Sequence, residues 1–150
     1  MIPVNFPAGI GVALAEELVR QGVRWRTLNG QLEVSDAVLF NSIASGFDQA
    51  TAEKPRVVEA IRAEAQRRIF NVVPQWRQNN LTARASELID KGRGNWSAAE
   101  LAEWNAGKVI WDRVKALRQA SNVIEARLAS VTKRDAVIGF DVVGAAEWPE

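Results

Sequence analysis

The 150-residue chain contains no cysteine and no histidine. Without cysteine there is no disulfide, thiolate nucleophile or thiolate metal ligand, and without histidine no imidazole base and no Cys/His zinc site. The absence of cysteine leaves the redox compartment open. Net charge is scarce too: 19 basic against 18 acidic side chains leave +1, so no global field gathers nucleic acid or an anionic membrane. The opening MIPVNFPAGIGVALAEELV lacks a basic leader, and Glu16 and Glu17 break its apolar run. Neither a signal peptide nor a membrane span is expected. A phosphate-binding loop is also missing, because KGRGN at 91–95 follows a helical stretch instead of a strand and reads as a helix–helix turn.

What remains is an ordinary folding composition, 47% hydrophobic and 25% charged. Its length suits one domain, or a small module joined to a larger element. Ile10, Leu14 and Leu18 recur at helical spacing from Ala8 to Gln21, with Gly22 placed as a left-handed cap. In VRWRTLNGQLEV, Asn29-Gly30 signals a two-residue type I′ turn. That loop sets Trp25 opposite Val34, Arg26 opposite Glu33, Thr27 opposite Leu32 and Leu28 opposite Gln31. Ser35-Asp36 are cap candidates for a helix carrying Leu39, Phe40, Ile43 and Phe47. Residues 1–50 therefore read as a helix–hairpin–helix adaptor, and DQATAEK at 48–54 as a polar linker.

Pro55 suits the first turn of the next helix, and Val58, Ile61, Ala65, Ile69, Val72 and Trp76 continue by threes and fours. Leu81, Ala85 and Leu88 resume the pattern until Lys91-Gly92. Pro74 lacks an N–H and conflicts with the carbonyl at Phe70, which predicts a kink or restart near Val73. Ser97 and Glu100 spell a capping box, with Trp96 and Leu101 placed as a staple, and helix can run to about Val131. Within it Ile110, Val114, Leu117, Ser121, Ile124, Leu128 and Val131 make a heptad seam that includes one small polar residue. Residues 54–132 are thus expected to form a long antiparallel helical hairpin, and 133–150 a short helix with an irregular tail in preference to a strand at VIGFDVV. The expected class is mainly α (α+β). A helix of about 36 residues spans roughly 54 Å, against a radius of gyration of about 15 Å for a compact chain this long. The hairpin is therefore expected to protrude and to be covered by other chains.

Chemistry is sparse. Glu59/Glu64 and Asp112/Glu125 are not spaced as helix neighbours and read as solvated faces, so no catalytic, cofactor or metal site is expected. Arg62, Arg67, Arg68, Arg77, Arg84 and Arg93 surround the helix without a stacking platform, which favours solubility or protein contacts over nucleic acid. Tryptophan is plentiful, at six. Trp25, Trp104 and Trp111 read as core or intersubunit anchors. Trp104 and Trp111, seven apart, form a row beside the seam and suggest two neighbours. The expected partner surface comprises Trp76, Arg77, Trp104, Trp111 and Trp148, underlain by Ile110, Val114, Leu117, Ile124 and Leu128.

The segments PQWRQNNLTAR and WDRVKALRQASNVIE, with the closing Trp148-Pro149, resemble a stretch of small tail-associated proteins of tailed bacteriophages and prophages. The likeness spans roughly residues 60–148. It implies a non-enzymatic tail or tail-fibre component of the virion, made in the bacterial cytoplasm, whose partners are other tail or fibre proteins or copies of itself. A fibre-assembly chaperone absent from the mature virion is the alternative reading, and a nucleic-acid-binding module a weaker one. No membrane partner is expected. The likeness carries no catalytic residue and does not extend to residues 1–50.

Overall fold

A computed structural model of the chain describes residues 1–6 and 10–150, so the expected helix start at Ala8 lies outside the described residues. The architecture is mainly helical with one small antiparallel sheet. Strand β1 (Ile2–Val4) precedes helix α1 (Val12–Arg20), strands β2 (Trp25–Leu28) and β3 (Gln31–Val34), and helix α2 (Ala37–Gly46). Helices α3 (Gln49–Val72) and α4 (Gln75–Lys91) follow, then a 3₁₀ turn (Arg93–Asn95), α5 (Ala98–Ala129) and α6 (Arg134–Ile138). The chain divides into two compact units, Met1–Glu59 with Arg127–Phe140, and Ala60–Ala126 with Asp141–Glu150. This grouping differs from a division at 50, 54 and 132, because α3 and α5 each contribute to both units.

In the first unit, Asn29 and Gly30 both take positive φ, as a type I′ turn requires, and the hairpin has the expected register. Arg26 and Glu33 pair at 2.6 Å on its outer face. Strand β1 was not legible in advance. It pairs with β3 to give the order β1-β3-β2, setting Ile2 against Val34 and Val4 against Leu32. Three residues beginning with a Pro-interrupted Ile-Pro-Val carry too little alternation to announce a strand. Val4, Leu32 and Val34 then share a core with Leu14, Leu18, Val23 and Phe40, against which Trp25 is partly buried. Gly22, at φ 79°, closes α1: its N–H reaches the Val19 carbonyl and the Val23 N–H reaches Leu18, a Schellman cap with both apolar side chains buried. Asp36 caps α2 through the Leu39 N–H at 2.9 Å, although Leu39 itself stays 38% exposed instead of joining Phe40 inside.

Residues 48–54 are not a linker. Asp48 accepts from the Thr51 N–H and hydroxyl at 3.1 and 2.6 Å and so starts α3 there. Pro55 consequently lies inside the helix instead of in its first turn. The earlier start brings Glu53, 5% exposed, to the N-terminus of α1, where its Oε1 accepts the Ala13 N–H at 2.8 Å. The N-cap residue of α1, Gly11, makes no side-chain cap bond, and a Cβ there would collide with that same Oε1. Gly11→Ala should therefore displace the carboxylate and its cap, lowering stability by about 1–3 kcal/mol in urea titrations with α1 the affected element.

The second unit holds the break and the hairpin. Helix α3 ends at Val72 and α4 restarts at Gln75 with Pro74 as its N-cap residue, so Pro74 produces a restart. The Ser97–Glu100 box is closed by both reciprocal bonds, at 2.8 and 3.2 Å. The staple differs from expectation: Leu101 is 40% exposed, while the Trp96 ring meets Trp104 at 5.0 Å and its indole N–H donates to the Leu88 carbonyl. Trp104 takes the place of Leu101 because a second indole gives the Trp96 ring a tilted aromatic contact that a leucine lacks. The helices run antiparallel, as Arg62 pairs with Glu125, Arg84 with Glu103 and Lys91 with Glu100.

Candidate interaction surface

Helix α5 repeats its seam every seven residues, and the buried members in the second unit are Val114, Leu117, Ser121 and Ile124. Continuing the same steps back from Ile110 reaches Gly107. A seam position that holds a branched side chain at Val114 and Leu128 is empty there, and a groove of about 290 Å³ opens beside it. Leu81, Ala85 and Leu88 of α4 line one wall, with Trp104 and Trp111 of α5 on the other. Leu81 lies 3.7 Å from where a Gly107 Cβ would stand. Both tryptophans are half-buried, so each offers part of an indole to an occupant.

The rim is charged and tied. Arg84 bonds Glu87 at 2.9 Å and Glu103 at 3.1 Å, and Asp112 lies between Lys108 and Lys115; outside the groove's lining, Lys91 reaches Glu100 at 2.8 Å. Lys91, joined by the Ser97 N–H, holds the Glu100 carboxyl down at about 2. Exposed pairs of this kind add little stability individually, but together they fix the helix register beneath the groove. The groove thus joins an apolar, aromatic-lined floor to a charged rim.

The expected partner residues separate into three groups. Trp104 and Trp111 line the groove. Trp76 and Arg77, although exposed, lie outside it, with Trp76 65% exposed just past the restart of α4. The remaining assignments are corrected. Val114, Leu117 and Ile124 are at most 3% exposed within this chain, as is Leu128 in the first unit, and Ile110 is half-buried. Their stripe is covered by the chain's own packing instead of waiting for a partner. Trp148 is 8% exposed, its indole N–H bound to the Val142 carbonyl at 2.7 Å and the Arg68 guanidinium 5.0 Å from its ring. It anchors the tail internally. Gly107 was the residue missed, and the signal was present: it lies on the seam three positions before Ile110.

Glu64 is another correction, since it is not on a solvated face. It is 8% exposed and accepts from Arg67 at 2.6 and 2.8 Å and from Arg68 at 2.6 Å, while Arg68 also donates to the Val143 carbonyl. The Arg67 guanidinium, opposed by burial and helped by Arg68, lowers the Glu64 carboxyl from 4.5 to about 2. A depressed carboxyl stabilises the fold above its ordinary value, and that contribution is lost as pH falls through the depressed one. Between pH 4.5 and about 2 the second unit should lose stability. In Glu64→Gln that pH dependence should shrink, as followed by tryptophan fluorescence.

Among the described residues no cluster of three or more His, Cys, Asp or Glu could hold a metal ion. No helix of the described residues is long and apolar enough to cross a membrane. No protein-family model, curated protein or solved structure matches the chain.

Proposed function

We propose that the chain is a non-enzymatic contact protein that receives apolar side chains of a partner protein in the α4–α5 groove. One observation carries this reading: the seam is vacant at Gly107 where Trp104, Trp111 and Leu88 converge. A fold selected for stability alone would fill that position, since glycine in a helix interior costs about 1 kcal/mol relative to alanine. The resemblance of residues 60–148 to tail-associated phage proteins supplies the setting, a structural part of the tail or its fibre attachment region. Its partners would then be other tail or fibre proteins, or copies of itself.

The test is mass spectrometry of purified particles alongside a solution mass for the isolated chain. Stoichiometric incorporation supports the structural reading. Co-purification with a fibre protein, together with absence from finished particles, would instead support the assembly-chaperone reading. For Trp111→Ala the expected result is loss of partner binding with helicity retained, because the ring is half-buried and its removal leaves the seam intact.

A further inference from the structure

A second concavity lies in the same unit and owes nothing to the Gly107 groove. It is a cleft of about 420 Å³ beside the Pro74 break, within the ordinary range for small-molecule sites. Half of its polar lining is carboxamide, from Gln66, Gln75, Gln78 and Asn122, beside the Ser121 hydroxyl and the charged Arg62, Arg118 and Glu125. Two of these groups are buried, Gln78 at 8% and Ser121 at 6% exposed. Gln78 Nε2 donates to the Val73 carbonyl at 3.0 Å, but among the described residues neither Gln78 Oε1 nor Ser121 Oγ hydrogen-bonds a protein group. Neither oxygen is among the sealed, unpartnered atoms of the described residues, so both are reached from the cleft and are free to bond what enters it. Ser121 is conspicuous for a second reason: it is the one polar residue in an apolar heptad seam, where alanine or valine would pack as well.

The chemistry of the cleft narrows the ligand. Charge is nearly balanced, since Arg62 is held by Glu125 through two bonds of 3.0 and 3.1 Å, leaving Arg118 as the cation in excess. That is a poor match for a phosphate or a nucleic-acid backbone, which calls for several cations. Peptides are taken up on sheet edges, in apolar helix grooves or on aromatic ladders. This cleft has helical walls, and its apolar part is confined to Ala65, Ile69 and Phe70. A carboxamide offers two donors and one acceptor at once, as does no charged group. The matching ligand is neutral and carries adjacent groups that both donate and accept, with one apolar face for the 40%-exposed Phe70 ring. We infer that the cleft beside Pro74 binds a neutral saccharide, its hydroxyls meeting Gln78, Ser121 and Asn122 and a C–H face meeting Phe70.

The test is an NMR titration of the full-length chain, following the side-chain amide signals of Gln78 and Asn122. Maltotriose, chitotriose and β-1,4-galactotriose are the probes, with trialanine and inorganic phosphate as competitors in kind. At least one trisaccharide should give saturable shifts at both residues. Asn122→Ala, at an exposed position that leaves the fold intact, should weaken that binding about tenfold, the loss expected from one or two hydrogen bonds. Gly107→Leu should leave it unchanged, which separates this site from the groove. The assignment is overturned if no trisaccharide moves the signals, if trialanine or phosphate binds in preference, or if Asn122→Ala has no effect.

Discussion

Gly107→Leu should make the protein more stable and abolish binding of the proposed partner. The two effects come from one position. Gly107 lies inside α5 with no positive φ, and its nearest neighbour stands 3.7 Å from a built Cβ, an ordinary contact distance. Relief of the glycine penalty contributes about 1 kcal/mol, and burying an isobutyl group against Leu81 and Leu88 adds to it. For a chain of this size each kcal/mol raises Tm by about 2–4 °C. The same side chain occupies the groove between Trp104 and Trp111, so an apolar partner group can no longer enter. Gly107→Ala provides the graded control: it should gain most of the helix term and lose little binding. Calorimetry beside a pull-down with a tail or fibre protein, the proposed partner, reads both quantities. A Gly107→Leu variant that is stabilised yet binds normally would remove the groove from the interface.

The second large effect is expected at Phe40. Its ring is 1% exposed and meets Phe6 edge-on at 5.6 Å in the core of the first unit. Phe40→Ala should cost about 3–5 kcal/mol, the toll of a buried aromatic leaving a cavity. A domain has roughly 5–15 kcal/mol of stability in all, so much of the first unit's margin goes with one side chain. Chemical denaturation followed by circular dichroism would show the loss, and Phe40→Leu should recover most of it. Leu39, beside it on α2, is 38% exposed, and Leu39→Ala should cost far less. The contrast between adjacent residues checks which face of α2 is covered.

Local signals carried most of the fold. Asn29-Gly30 fixed the hairpin register because positive φ at two successive residues admits few alternatives, and the capping box located α5 because its two bonds are reciprocal and short-range. What sequence could not show was set by distant partners. The first turns of α3 look like a polar linker because Glu53 has its reason for burial forty residues away, at the Ala13 N–H. Strand β1 exists because β3 had a free edge to pair, and nothing in Ile-Pro-Val announces that edge. The site divides along the same line. Trp104 and Trp111 were legible as an apolar row on one helix, whereas the groove needs Leu81, Ala85 and Leu88 from a second helix brought alongside. Trp148, part of the closing Trp-Pro and expected on the partner surface, makes its contacts to Val142 and Arg68 internally. Ser121 stood out as polar in an apolar seam, and only the cleft beside Pro74 gives it a neighbourhood.

The most direct test of the contact role is quantitative mass spectrometry of purified phage particles assembled with the wild-type chain or with Gly107→Leu. The account predicts that the wild-type chain is present in fixed stoichiometry and that the Gly107→Leu chain, although folded and more stable, is excluded. Equal incorporation of both chains, or absence of the wild-type chain from finished particles, would contradict it.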